Sequence, residues 1–315
     1  MTRARKIMMG REHYVILVSL TTFDEQGQLD EPAFRQHLRR LAEPGIAVYV
    51  ASSGSSEGQS FSYEERERVL AIAVEELKGK VPVAAMGVEP KVPGEMVEFL
   101  RRAEHSKVDF AQVCSLDIGH GAKPTPRELE KYYSTALEAS SIPVYISTHH
   151  SLGYYLPIGL IEKLVERYPT VVGVAYGGPD IAFIDQLIRR VGDRVDVVCA
   201  GSAGAASVFT LGGNGFMGGE GNFAPKLVAS IVSAFEAGDL KRLRESFSKL
   251  MAFTEIQKRF GGSSMRAMKP LLNAYGLPGG YLRPPRLPIT DEELKAVVAQ
   301  TAALDLPGLP PPPTS

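Results

Sequence analysis

The stretch that decides the fold begins Ile142-Pro143-Val144-Tyr145-Ile146-Ser147 and continues through Pro157–Arg167, Val171-Val172-Gly173-Val174, Asp180–Arg190 and Val195-Asp196-Val197-Val198-Cys199-Ala200. Three short runs rich in Val and Ile alternate here with two segments whose apolar residues recur at helical spacing. Runs that are apolar on both faces mark strands covered on both sides, and strands alternating with helices build a parallel sheet. The same alternation extends toward the N-terminus. Strand Tyr14–Leu20 leads to helix Asp30–Ala42, strand Ile46–Ala51 to helix Tyr63–Leu77, and strand Val81–Met86 to helix Pro93–His105. Ser62 and Glu65 stand at capping-box spacing before the second of these helices. Strand Asp109–Cys114 is followed by a loop rich in Gly and Pro and by a helix from Thr125. Toward the C-terminus come a short helix near Ser202–Leu211, strand Gly215–Met217 and helix Ala224–Ala237.

Eight strand-then-helix units within residues 12–238 predict an α/β fold, a (β/α)8 TIM barrel. No Gly-x-Gly-x-x-Gly follows the first strand to favour an open nucleotide-binding sheet. From Asp239 onward only helical patterns remain: Leu240–Arg259, Met265–Tyr275 and Asp291–Ala303. They predict a C-terminal helical appendix over 239–305. Residues 306–315 read as a Pro-rich tail with too little apolar content to pack.

Composition narrows the function classes. Thirty-five Lys and Arg face 36 Asp and Glu, a formal net charge of −1, so the chain lacks the field that a nucleic acid or an anionic membrane surface would select. The run Arg3, Arg5 and Lys6 reads as a solvated basic terminus. Tyr14–Leu20 is too short for a membrane span and is read as a buried strand. The two cysteines, Cys114 and Cys199, stand in apolar runs with no CxxC pair, which suits a reducing, cytoplasmic setting.

In a TIM barrel the chemistry sits at the C-terminal ends of the strands. Ser52-Ser53-Gly54-Ser55-Ser56-Glu57 offers hydroxyls and amides in a Gly-containing turn. It suits an anionic oxygen such as a carboxylate, or else simply caps the next helix. Tyr145 either relays protons at the barrel mouth or packs as a core aromatic. His149 and His150, with Asp117 and His120 on the preceding loop, are residue types that bind metals, yet their spacing fits no tight ligand signature. Gly218-Gly219-Glu220-Gly221 reads as a phosphate-binding turn such as some barrels carry, as a place of close backbone approach to a small substrate, or as only a tight turn.

Taken together, these segments resemble the dihydrodipicolinate synthase / N-acetylneuraminate lyase family over nearly the whole chain. Thr21-Thr22-Phe23 stands where that family has Thr-Pro-Phe. Ser53-Gly54-Ser55-Ser56-Glu57, with Phe61-Ser62-Tyr63-Glu64-Glu65-Arg66, looks like its Gly-Thr-Thr-Gly-Glu turn and Leu-Thr-x-Glu-Glu-Arg. Lys123-Pro124-Thr125, Pro143-Val144-Tyr145, Gly221-Asn222-Phe223-Ala224-Pro225 and the segment from Lys269 to Pro285 follow in family order. The resemblance implies a lyase acting on a small 2-keto acid or aldehyde such as pyruvate, with no cofactor or metal, in a homotetramer. It implies a Schiff-base lysine on strand six, Tyr145 as proton shuttle, and Gly54, Ser55 and Ser56 as the carboxylate cradle. The backbone at Met217 and Gly218 would line the other side, and His150 falls where dihydrodipicolinate synthase has a carboxylate-binding arginine.

The departures are as informative. Strand six reads Gly173-Val174-Ala175-Tyr176 where the family has Gly-Ile-Lys. The methyl group of Ala175 cannot form an imine, so the covalent route is closed to this chain. Two origins are consistent with that alanine: a lysine replaced by design, or a natural homologue without it. Two other functions share the barrel. One is an enzyme using Tyr145, His149, His150 and Asp117 for acid–base or metal-assisted work, and the other is a non-catalytic small-molecule binder.

Overall fold

A computed structural model describes residues 3–43, 45–261 and 263–311, without the side chains of Arg3, Arg5 and His150. Its strands are β1 (Tyr14–Val18), β2 (Ile46–Val50), β3 (Val83–Met86), β4 (Phe110–Val113), β5 (Val144–His149), β6 (Val171–Gly177), β7 (Asp196–Ala200) and β8 (Gly215–Gly218). They pair in parallel in chain order, and β8 closes on β1. The expected TIM barrel is therefore observed. Its outer helices are α2 (Glu31–Arg40), α3 (Tyr63–Leu77), α4 (Pro93–His105), α5 (Pro126–Glu138), α6 (Ile158–Arg167), α7 (Ile181–Val191), α8 (Ala205–Thr210) and α9 (Pro225–Glu236). Their starts follow local chemistry. Ser62, before α3, and Thr125, before α5, each make a complete capping box with the glutamate three residues on.

Alternate strand residues face opposite ways, so one set packs under the helices and the other fills the barrel. The inner set includes Tyr14, Ile16, Ala47, Tyr49, Ala84, Phe110, Tyr145, Ala175, Val198 and Met217, all buried. A short helix, α1 (Arg3–Ile7), stoppers the N-terminal end, with Ala4 and Met8 packed into this same inner cluster. This corrects the reading of the N-terminus as a solvated tail: the apolar pair at i and i+4 sits among basic residues and gives too weak a signal. Among the described residues no helix is long and apolar enough to cross a membrane.

The C-terminal helices α10 (Leu240–Lys258), α11 (Met265–Ala274) and α12 (Asp291–Ala303) follow the barrel. A buried ion pair links them to its mouth: Lys269 Nζ lies 2.6 Å from Glu57 Oε1, both side chains 1% exposed. Lys269 also donates to the Tyr281 carbonyl at 2.7 Å and sits 4.6 Å from the Phe23 ring centroid. The start of the expected loose tail packs as well. Leu306 is buried and Leu309 rests on the core, because the two leucines find apolar neighbours that the prolines around them cannot use. Residues 312–315 lie outside the described residues.

Candidate active site

A cavity of about 600 Å³ opens at the C-terminal ends of the strands. Every strand or its following loop contributes except β6, and two side chains come from α10. The lining includes Ser52 to Ser55, Glu89, Gln112, Cys114, Ser147, His149, Ser202, Met217 to Glu220, Thr254 and Lys258.

The turn after β2 is held rigidly from below. Ser56 Oγ donates to the Ser19 carbonyl at 2.6 Å and lies 3.2 Å from Ser52 Oγ. Arg66 donates to the carbonyls of Ala51 and Gly58. The amides of Ser53, Gly54 and Ser55 make no hydrogen bond among the described residues. Three consecutive N–H groups without a partner among the described residues leave this turn with the donors an anion would need. Of the expected cradle, Gly54 and Ser55 line the cavity, whereas Ser56 supports the turn from beneath.

Tyr145 does not reach the cavity. It is the second residue of β5 and is fully buried inside the barrel, with its hydroxyl 2.7 Å from Tyr14 Oη. Tyr14 in turn donates to Asp196 Oδ2 at 2.8 Å. Its ring fills the space left by Gly173, where an added Cβ would lie 2.1 Å from Cε1. Burial, with Asp196 nearby, pushes the Tyr145 phenol well above its ordinary range. The expectation of a hydroxyl at the mouth is thus corrected. Side chains of one strand face recur every second residue, so β5 presents Ser147 and His149 to the cavity, two and four residues further on.

Ala175 pairs in register with Ser147 on β5 and Val198 on β7 and is 1% exposed. It belongs to the inner cluster and is not among the residues that line the cavity. Met217 and Gly218 line the cavity as expected. The side chain of His150 lies outside the described residues. His149 Nδ1 accepts the Ser151 amide at 3.1 Å, which places the proton of the neutral ring on Nε2. Asp117 and His120 are not brought in. Asp117 pairs with Lys91, and His120 is exposed. The four-residue metal alternative therefore has no assembled site among the described residues.

The group that sequence reasoning passed over is Glu220, in the turn after β8. Ser202 Oγ donates to its Oε2 at 2.5 Å, and Thr254 Oγ1 lies 2.9 Å from its Oε1. Gly218 is required here: a Cβ would lie 2.5 Å from Ser202 Oγ and 3.1 Å from Glu220 Oε2. Behind the turn, the fully buried Asn222 makes four hydrogen bonds. Its Oδ1 accepts from Leu20 N at 2.8 Å and from His37 Nε2 at 2.9 Å. Its Nδ2 donates to the carbonyls of Val18 at 2.9 Å and Gly219 at 2.7 Å. His37 is neutral, since burial pushes its pKa down to about 3. A neutral ring has one N–H, and Asn222 takes it.

The chain resembles known proteins over almost its full length. It is 27% identical to a 4-hydroxy-tetrahydrodipicolinate synthase of Methanosarcina acetivorans, across 88% of this chain and 94% of the relative. It is 28% identical to an uncharacterized DapA-like lyase of Thermofilum pendens, across 94% and 98%. Among solved structures, it superposes on dihydrodipicolinate synthase of Thermotoga maritima with a TM-score of 0.84 at 19% identity, covering 93% of this chain and 99% of the other. The pyruvate complex of Escherichia coli YagE gives 0.85 at 21% identity, with the same coverage. A profile of the dihydrodipicolinate synthetase family matches residues 12–304. The barrel, the order of motifs along it and this match agree, and the chain belongs to the dihydrodipicolinate synthetase family of aldolase-type lyases.

Proposed function

We propose that this chain is a lyase-type enzyme that handles a small 2-oxo acid without forming a Schiff base. Its substrate carboxylate would rest on the amides of Ser53, Gly54 and Ser55, as the pyruvate bound by its fold neighbour suggests for a short keto acid. Ala175 offers no amine, and no tyrosine hydroxyl lines the cavity among the described residues. Both components of the imine route are missing together, which favours a natural lysine-free site over a single engineered loss.

The observation that carries the reading is the Glu220 carboxylate, fixed at the cavity wall by Ser202 and Thr254. A positioned carboxylate can take a proton from the carbon beside a carbonyl, leaving an enolate. Ser147, whose hydroxyl makes no hydrogen bond among the described residues, can donate to the enolate oxygen. Return of a proton to the same carbon completes an exchange, and departure of a leaving group from C4 of the enolate, with its electron pair, completes an elimination.

Exchange tests this without knowledge of the natural substrate. In D2O, the protein should catalyse loss of the C3 proton signal of pyruvate or 2-oxobutanoate. Glu220→Gln should slow that exchange by about 10²–10⁴-fold while leaving the circular dichroism spectrum unchanged. Equal rates for the two proteins would remove Glu220 as the base. Absence of exchange with the parent chain would remove the proposed function.

A further inference from the structure

The cavity at the barrel mouth has an acidic lining. Glu89, in the loop after β3, and Glu220, after β8, both border it. Against these two carboxylates stands one Lys or Arg among the described lining residues, Lys258 of α10. A 2-oxo acid brings a further negative charge at neutral pH. The amides of the turn after β2 offer it partial charges only, while Glu89 and Glu220 oppose its entry. Uptake of such an anion calls for a cation close to that turn.

Lys258 is placed there. It follows Thr254 by four residues on one helix, and positions i and i+4 share a face. Thr254 borders the cavity and meets Glu220 Oε1 at 2.9 Å, so the same face turns Lys258 toward the mouth. Beside the main cavity lies a second hollow of about 460 Å³, lined by Ser263, Ser264 and Met265 among others, with no carboxylate in its described lining. Three residues border both spaces: Gly54, Ser55 and Lys258. The lysine therefore stands next to the turn itself. Its neighbour Arg259 is bonded to Gln300, but Lys258 makes no hydrogen bond or ion pair among the described residues. Glu220 does not claim it, because Ser202 and Thr254 hold both of its oxygens.

We propose that Lys258 is the counter-ion of the substrate carboxylate, its ammonium pairing with the oxygens that the Ser53–Ser55 amides hold. This inference rests on the 2-oxo acid reading given above and deepens it. It assigns Lys258 to binding, as a charge, and leaves the proton transfer to Glu220.

The test measures Kd for pyruvate by titration calorimetry at low and high salt. At low salt, Lys258→Met should bind pyruvate about five- to tenfold more weakly than the parent chain. Lys258→Arg, which keeps the charge, should stay within about threefold of the parent. In about 0.5 M NaCl the parent and the methionine variant should converge, because salt screens a pair formed by an exposed lysine. Lys258→Gln serves if the methionine variant does not fold. Equal affinity of parent and Lys258→Met at low salt would overturn the assignment, with the 2-oxo acid reading still standing. A loss in Lys258→Arg as large as in Lys258→Met, or a difference undiminished by salt, would mark a structural role and overturn it too. If the parent chain binds no pyruvate, the 2-oxo acid reading fails and this inference falls with it.

Discussion

Replacing Lys269 by methionine is expected to cost about 3–5 kcal/mol of folding stability, measured by urea denaturation. The reason lies in what the ammonium leaves behind. Glu57 is 1% exposed and faces Lys269 Nζ at 2.6 Å, with the Arg283 amide at 3.2 Å from its other oxygen and Arg286 Nη1 at 3.8 Å. Removing the lysine strands a carboxylate in a site that excludes water. Burial pushes the Lys269 pKa down to about 8, so the ammonium is still held at neutral pH. Glu57→Gln should cost a similar amount, since it strands the ammonium instead. The double variant Lys269→Met with Glu57→Gln should be clearly less unstable than the sum of the two, because neither charge is then left alone. Additive losses would mean that the pair is not coupled. The pair matters to the site because Glu57 ends the turn after β2 that lines the cavity, and α11 brings Lys269 to it.

Asn222→Ala should cost about 4 kcal/mol or more, read as a fall in urea midpoint. The substitution leaves two donors, Leu20 N and His37 Nε2, and one acceptor, the Val18 carbonyl, without their side-chain partner, while the Gly219 carbonyl keeps the backbone amide of residue 222. Each buried polar group so orphaned costs roughly 1–3 kcal/mol. Asn222→Asp is the informative companion. A carboxylate still accepts from Leu20 and His37 but cannot donate to the two carbonyls, so it should recover only part of the loss. Because Gly219 and Glu220 belong to the turn that Asn222 pins, both variants should also weaken 2-oxo acid binding. A loss below about 1 kcal/mol for Asn222→Ala would show that the four bonds do not act as a brace.

Much of this was legible in the chain itself, for identifiable reasons. Alternating Val/Ile runs and helical periodicity gave the eight units because barrel strands are covered on both faces, so hydrophobicity marks them throughout. The same signal fails at the mouth. The apolar run of β5 stops at Ile146, but the strand continues through Ser147, Thr148 and His149, of which Ser147 and His149 face the cavity and Thr148 is buried on the other face, accepting the Leu156 amide. Ending the strand early placed Tyr145 two residues too near the opening, and assigned to a core aromatic a role that the geometry denies it. Glu220 was visible as a glutamate in a glycine turn. Its partners were not, since Ser202 and Thr254 lie 18 and 34 residues away and meet it only through folding.

The central claim is that this barrel works on 2-oxo acids without an imine, and borohydride trapping tests it most directly. The parent chain is incubated with pyruvate and sodium borohydride and weighed intact, while C3 exchange is followed in a parallel sample. The account predicts an unmodified mass and undiminished exchange. A mass gain of one reduced pyruvate, mapped to Lys258, the one lysine among the residues that line the cavity, would show imine chemistry relocated to another strut of the site and would contradict it.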